Sequence, residues 1–277
     1  MVKSMFQRNS GESGTKSSTT IAFVHHKGGT GKTTSCLNIA GWLAKMKKKV
    51  LVVDLDPQGN ATAGLGIDRN KCEGTIYDVF FGEHEIEEII LETESGIYLA
   101  PSSIDLLAAE THMAGQANTT GILKKKLSSV EKHFDYILID VLPGISLLLI
   151  NGIVASENII IPLDSGVFAY ETLFTLKTLV IDLNEELGVE TNIMMVLLRE
   201  WPAVSLFSKG PTKEIKKMLK EFLEVNNIPQ VKIFTIPFSE KIYRAQMRGM
   251  PISHYAPFSY VGRVYKRIAK GILVDRE

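Results

Sequence analysis

Eight consecutive residues, Lys27-Gly28-Gly29-Thr30-Gly31-Lys32-Thr33-Thr34, combine two cations, three glycines and three hydroxyls, a set suited to holding a polyphosphate. Glycines let successive backbone N–H groups turn inward around phosphate oxygens, and a helix that begins at the same point adds a favourable dipole. Lys32 is expected to reach β and γ oxygens, and Thr33 to offer its hydroxyl to Mg²⁺. The general phosphate-loop pattern G-x-x-x-x-G-K-[ST] fails at its first position, which is His26 here. The second departure is Lys27, which brings another positive charge to the same loop. A plain strand-to-helix turn with two surface lysines is the alternative, and the order of the flanking segments speaks against it. Downstream, Asp140 ends the apolar run Tyr136-Ile137-Leu138-Ile139, where a carboxylate has little structural reason to be. Burying one without a partner is costly, so it is expected to orient a metal through a bound water rather than merely cap a strand.

The elements that must position these groups alternate along the chain. Ile21–Val24 is a short run of strand formers, and Thr33–Lys47 carries apolar residues at Leu37, Ile39, Ala40, Leu43 and Ala44, the period of a helix. Further strands are predicted at 50–54, 97–100, 136–140, 158–162, 193–198 and 232–236. Helices are predicted near 103–114, 119–132, 145–155, 169–187, 211–226 and 257–274. Strands separated by helix-length segments need crossover connections. The fold class is therefore α/β, a doubly wound, mostly parallel sheet with helices on both faces, whose ligands sit at the carboxyl ends of the strands. Residues 1–19, rich in Ser, Gly and Thr, read as a flexible arm, and 20–277 as a single domain.

Composition narrows the function classes. The 277 residues are 45% apolar and 22% charged, enough for a sizeable core, and 31 Lys+Arg balance 31 Asp+Glu. With no net field, any DNA contact must come from a local patch. Cys36 and Cys72 form neither a disulfide framework nor a metal knuckle, and the six histidines include no i, i+4 pair, which argues against zinc. No apolar run approaches the roughly 18 residues of a membrane span, so a cytoplasmic protein is expected.

The loop KGGTGKTT resembles the deviant Walker A motif of the ParA/MinD (Soj-like) family of ATPases, closest to ParA-type partition proteins. The resemblance spans about 20–274: Val52–Thr62 (VVDLDPQGNAT) is similar to switch I, Phe134–Asp140 to the Walker B strand, and Pro101–Leu106 and Asn151–Ala155 to further family stretches. It implies a P-loop ATPase that uses ATP and Mg²⁺, with Gly28, Gly29, Thr30, Gly31, Lys32, Thr33 and Thr34 around the phosphates and Thr33 and Asp140 at the metal. Lys27 would reach across a homodimer interface to the partner's nucleotide, and Asp56 would position the attacking water, with Asp54 behind it. Adenine would lie against Pro237 and Phe238, near Arg199. Switch II departs from the family, since Val141-Leu142-Pro143 keeps only the second of two usual prolines.

The same resemblance implies non-specific DNA binding by the ATP-loaded dimer, plasmid or chromosome segregation, and a ParB-type stimulating partner. Candidate DNA contacts are Lys213, Lys216, Lys217 and Lys220 on one helical stripe, Lys241, Arg244 and Arg248 in the loop that follows the last strand, and Lys266, Arg267 and Lys270 on the last helix. The contrasting reading is a MinD-like organiser acting on a membrane or protein scaffold. For it the segment Val261–Leu273 would have to be an amphipathic membrane helix. Its position after Tyr255–Ser259 favours a closing core helix instead, so no membrane partner is expected.

Overall fold

The computed structural model describes residues 18–166, 168–200, 212–228 and 230–274. Within them eight strands form one sheet: β1 (Thr19–Phe23), β2 (Val50–Leu55), β3 (Leu91–Glu92), β4 (Tyr98–Ala100), β5 (Tyr136–Val141), β6 (Asn158–Asp164), β7 (Asn192–Arg199) and β8 (Lys232–Ile236). Their order is β3-β4-β2-β5-β1-β6-β7-β8, and each pairing is parallel except that of β3 with β4. Every predicted strand is present within a residue or two. Only β3, two residues long, lacked a periodic signal. Of the predicted arm, residues 1–17 lie outside the described residues, while Thr19 already pairs with Tyr136 in β1.

Twelve α-helical segments cover the described residues between and beyond the strands: α1 (Lys32–Lys45), α2 (Asn60–Gly64), α3 (Ile76–Phe81), α4 (Ile86–Ile89), α5 (Leu106–Met113), α6 (Ile122–Leu127), α7 (Leu147–Val154), α8 (Ala169–Leu187), α9 (Thr212–Val225), α10 (Glu240–Gln246), α11 (Ile252–Tyr255) and α12 (Tyr260–Val274). Strand side chains alternate between faces, so the central strands feed two separate cores. Leu51, Val53, Leu55, Ile137 and Ile139 pack on one side with α3 to α9. Val50, Val52, Tyr136 and Leu138 pack on the other with α1, α11 and α12.

The same alternation carries Asp54 and Asp140, next along the second series, onto the face occupied by α1. They are paired in register on β2 and β5, at the carboxyl ends of the strands. The sheet's period of two thus delivers two carboxylates to the place where the phosphate loop enters its helix.

The last helix is a core element. α12 buries Val261, Val264, Tyr265, Ile268 and Ile272 against the α1 side of the sheet. Lifting it onto a membrane would strip that cover from α1 and the sheet and leave their apolar surface to water. The C-terminal segment also locks onto α1, since a Cβ on Gly41 would meet Pro251 and Ser253, and the Lys45 ammonium donates to the Ser253 carbonyl at 2.9 Å.

Candidate nucleotide site

The loop between β1 and α1 takes its shape from glycine. Gly29 and Gly31 have φ of 75° and 94°, left-handed values that an L side chain resists, and a Cβ on Gly28 or Gly29 would meet only open space. No side chain caps α1, so the amides of its first turn face the cleft unanswered by a cap. At the start of the loop, before the helix, the Lys27 N–H donates to His25 Nδ1 at 2.8 Å. Burial, with His26, Lys32 and Lys27 nearby, pushes the His25 imidazole down to about 3, so it stays neutral and keeps that acceptor. His25 is therefore a brace for the loop.

Lys32 lies buried at 6% exposure, and its ammonium donates to the Lys27 carbonyl at 3.2 Å. Burial lowers its pKa, while Asp140 and Asp56 pull the other way. Lys27, by contrast, is exposed at the rim, its ammonium 5.0 Å from the centre of the Phe168 ring. The two lysines thus divide into one inside the loop and one facing outward.

Both Asp140 oxygens are fully buried without a hydrogen-bond partner. Burial raises the pKa of this carboxyl well above the usual range and Asp54 adds to it, whereas the Thr33 hydroxyl and Lys32 favour the charged form. Asp54, also buried, is answered: it accepts from the Asp56 N–H at 3.1 Å and from the Thr62 N–H and hydroxyl at 2.8 and 2.7 Å. Burial still pushes it up to about 6. Among the described residues no three His, Cys, Asp or Glu side chains converge as a preformed metal cage. An orphaned carboxylate beside a threonine hydroxyl and a phosphate loop suits Mg²⁺, which takes few protein ligands and the rest from phosphate and water.

A prediction follows from that orphaned carboxyl. Asp140→Asn removes a buried charge at nearly constant shape, so the ligand-free variant should be stabilised by on the order of 1–2 kcal/mol. In a chain of this size that is a melting-point rise of roughly 2–6 °C at pH 7.5 in EDTA. Burial holds the folded-state pKa of this carboxyl above its ordinary value, so stability grows as pH falls toward the usual carboxylate range, and the wild-type melt should climb on acidification more than that of the variant. An unchanged or lower melting point would show that the carboxyl is satisfied.

Asp56 closes the far side of the cleft. Its carboxylate accepts from the Gln58 N–H at 2.9 Å, and its carbonyl accepts from the Ser102 hydroxyl at 2.6 Å, which ties the Asp56–Gly59 turn to the loop after β4. The cleft, about 580 Å³, is lined by 28–34, Asp56, Gln58, Asn60, Pro143, Arg199, Tyr243, Gln246 and Met247. A second chamber of about 180 Å³ shares Thr30, Gly31, Thr34, Arg199, Tyr243 and Gln246 with it and adds Pro162, Ile236, Pro237, Phe238 and Tyr265. The predicted base contacts Pro237, Phe238 and Arg199 therefore adjoin the phosphate loop. Arg199 is also braced, its Nε and Nη2 donating to Asp164 at 2.9 Å.

Two site features differ from the sequence reading. Lys241 and Arg244 lie on helix α10, not in a loop. The Ser239 hydroxyl caps α10 by accepting from the Lys241 N–H, and Gln246 donates to the Thr34 hydroxyl at 3.0 Å, so this helix walls the nucleotide cleft. Ser239 followed by Glu240 and by Ile242 and Ala245 was the available signal. The predicted DNA contacts also divide. Exposed Lys213, Lys217 and Lys220 lie on α9, over one core, while Lys241, Arg244 and Arg248 lie over the other. Lys216 and Arg267 meet in a groove along the β8 edge, between the two groups.

Known proteins bear on this geometry. Residues 18–194 match the AAA_31 family, described as an AAA domain. Soj of Bacillus subtilis, a sporulation initiation inhibitor protein, is 34% identical over 256 residues, 92% of this chain and 98% of its own. The chromosome-partitioning ATPase Soj of Treponema pallidum is 32% identical over 257 residues, 92% of this chain and 96% of its own. The chain belongs to the Soj/ParA family of ATPases. Its fold matches that of apo McdA from Cyanothece, with a TM-score of 0.80 at 25% identity over 92% of this chain and 99% of that one. Family membership accounts for the twin-lysine loop and the Asp54–Asp56 segment. It does not account for Val141, whose side chain takes the space a Cβ on Gly152 would need, nor for the half-buried Leu142, packed on the same core. Among the described residues no helix is long and apolar enough to cross a membrane.

Proposed function

We propose that this Soj/ParA-family ATPase binds Mg-ATP, closes into a sandwich dimer around two nucleotides, holds DNA without sequence preference in that state and releases it on hydrolysis, so that a DNA molecule is segregated or positioned. The observation that carries the reading is the division of labour between the lysines: Lys32 buried inside the loop and acting on the buried Asp140, Lys27 exposed at the rim over the Phe168 ring. A second cation exposed at the rim is free to meet a phosphate chain that another subunit presents.

In this reading the α1 amides and Lys32 hold the β and γ phosphates, Thr33 and Asp140 hold the metal, and Asp56 orients water for in-line attack. Bound Mg²⁺ would neutralise phosphate charge and draw electron density from the transferring group. The base lies in the smaller chamber, against Pro237 and Phe238. A ParB-type protein stimulates turnover. The packed α12 disfavours the membrane-acting alternative.

Filter retention of DNA with ATP across a salt series tests the DNA step. Retention should fall linearly in log–log form with salt, and glutamate at Lys213, Lys217 and Lys220 should flatten the slope by about one per lost phosphate contact. The same substitutions at Lys241, Arg244 and Arg248 identify which side of the β8 edge faces the polymer. Binding to anionic liposomes without DNA retention would overturn the proposal.

A further inference from the structure

Arg69 belongs to none of the motifs above, yet it reaches the segment that carries Asp56. It lies on a one-turn 3-10 helix, Arg69–Lys71, capped by Asp68, whose carboxylate accepts from the Asn70 N–H. From there its Nη1 donates to two successive carbonyls, Pro57 and Gln58, both at 3.1 Å. The guanidinium also covers Gly59: a Cβ there would lie 3.3 Å from Nη1 and 3.4 Å from Cδ, and Gly59 has a φ of 66°. The turn it grips is otherwise closed from within, by the Gln58 N–H on the Asp56 carboxylate and the Gly59 N–H on the Asp56 carbonyl. The amides of the turn are thus engaged by Asp56 and two of its carbonyls by Arg69.

We infer that Arg69 is a positioning residue for hydrolysis, a latch that holds the Asp56–Gly59 turn so that the Asp56 carboxylate stays aimed into the cleft. The inference rests on the water-orienting reading of Asp56. A charged donor on two carbonyls is stronger than a neutral hydrogen bond, and a peptide turn held on both sides loses less order when substrate arrives. Arg69 touches neither cleft nor phosphate loop among the contacts of the structure, so its effect must pass through the turn.

Arg69→Ala should lower kcat about tenfold while the ATP KM stays within twofold, and hydrogen exchange at the Gln58 and Gly59 amides should accelerate at least tenfold. Arg69→Lys, keeping one cationic donor, should recover part of kcat. In an Asp56→Ala background, Arg69→Ala should have no further effect on turnover, because both act through one group. Three outcomes overturn the latch: unchanged kcat, a KM rise without a kcat change, or additive losses in the double variant. Should Asp56→Ala alone leave turnover intact, the water-orienting reading fails instead, and the exchange measurement still reports on the turn.

Discussion

Lys32→Ala should abolish nucleotide binding, weakening ATP affinity by at least a hundredfold, with turnover falling below detection. The side chain is almost fully buried, so its ammonium is desolvated before any ligand arrives, and its pKa is already lowered by that burial. In such a setting a charge-assisted contact to phosphate is worth about 1.5–3 kcal/mol, or roughly ten- to over a hundredfold in affinity. The loss is larger than one contact because of what stays behind. Asp140 and Asp56 are the carboxylates that act on Lys32, and without the lysine they meet a polyanionic tail unopposed. Lys32→Arg is not expected to rescue binding, since a planar fork cannot replace a compact ammonium inside a closed loop. Titration with a fluorescent ATP analogue measures the effect directly. Affinity within threefold of wild type would show that the phosphates lie elsewhere.

The arrangement behind that prediction was legible in the sequence to an unequal degree. Period-two alternation from Val50 to Asp56 and from Tyr136 to Asp140 already places Asp54 and Asp140 on one face, and the glycine loop before Thr33 says which helix they meet. What periodicity reports is burial, and burial is what shaped these strands. It has no purchase on β3, whose two residues span less than one repeat. It also missed α10, where seven residues with a basic and aromatic surface look like a loop until the Ser239 cap is weighed.

Contacts that depend on tertiary approach were invisible for a different reason. Arg69 meets the carbonyls of Pro57 and Gln58 twelve and eleven residues back, and a carbonyl has no residue type to read. The His25 acceptor is local, two residues from the N–H it serves, but it too answers a backbone group that carries no residue type. The lysine stripe of α9 shows the reverse limit. Helical spacing groups Lys213, Lys217 and Lys220 correctly, but only the connection between strands decides which side of the sheet they occupy.

Asp56→Ala should separate binding from hydrolysis. Its carboxylate is held by the Gln58 N–H and its own carbonyl by Ser102, so removing the side chain leaves the Ser102 tie and the phosphate loop in place. ATP affinity should therefore change no more than threefold, whereas kcat should fall about 10²- to 10³-fold, the usual scale for losing a group that handles the attacking water. Under those conditions the nucleotide-loaded state accumulates. With ATP and Mg²⁺ the variant should elute as a dimer in size-exclusion chromatography with light scattering, at concentrations where wild type relaxes to monomer as nucleotide is consumed. Adding Lys27→Ala should dissolve that dimer while leaving nucleotide bound, because the outward cation loses its phosphate while Lys32 keeps its own. A variant that retains ATP, cannot hydrolyse it and still remains monomeric would remove the role given to Lys27, and with it the coupling of DNA release to turnover.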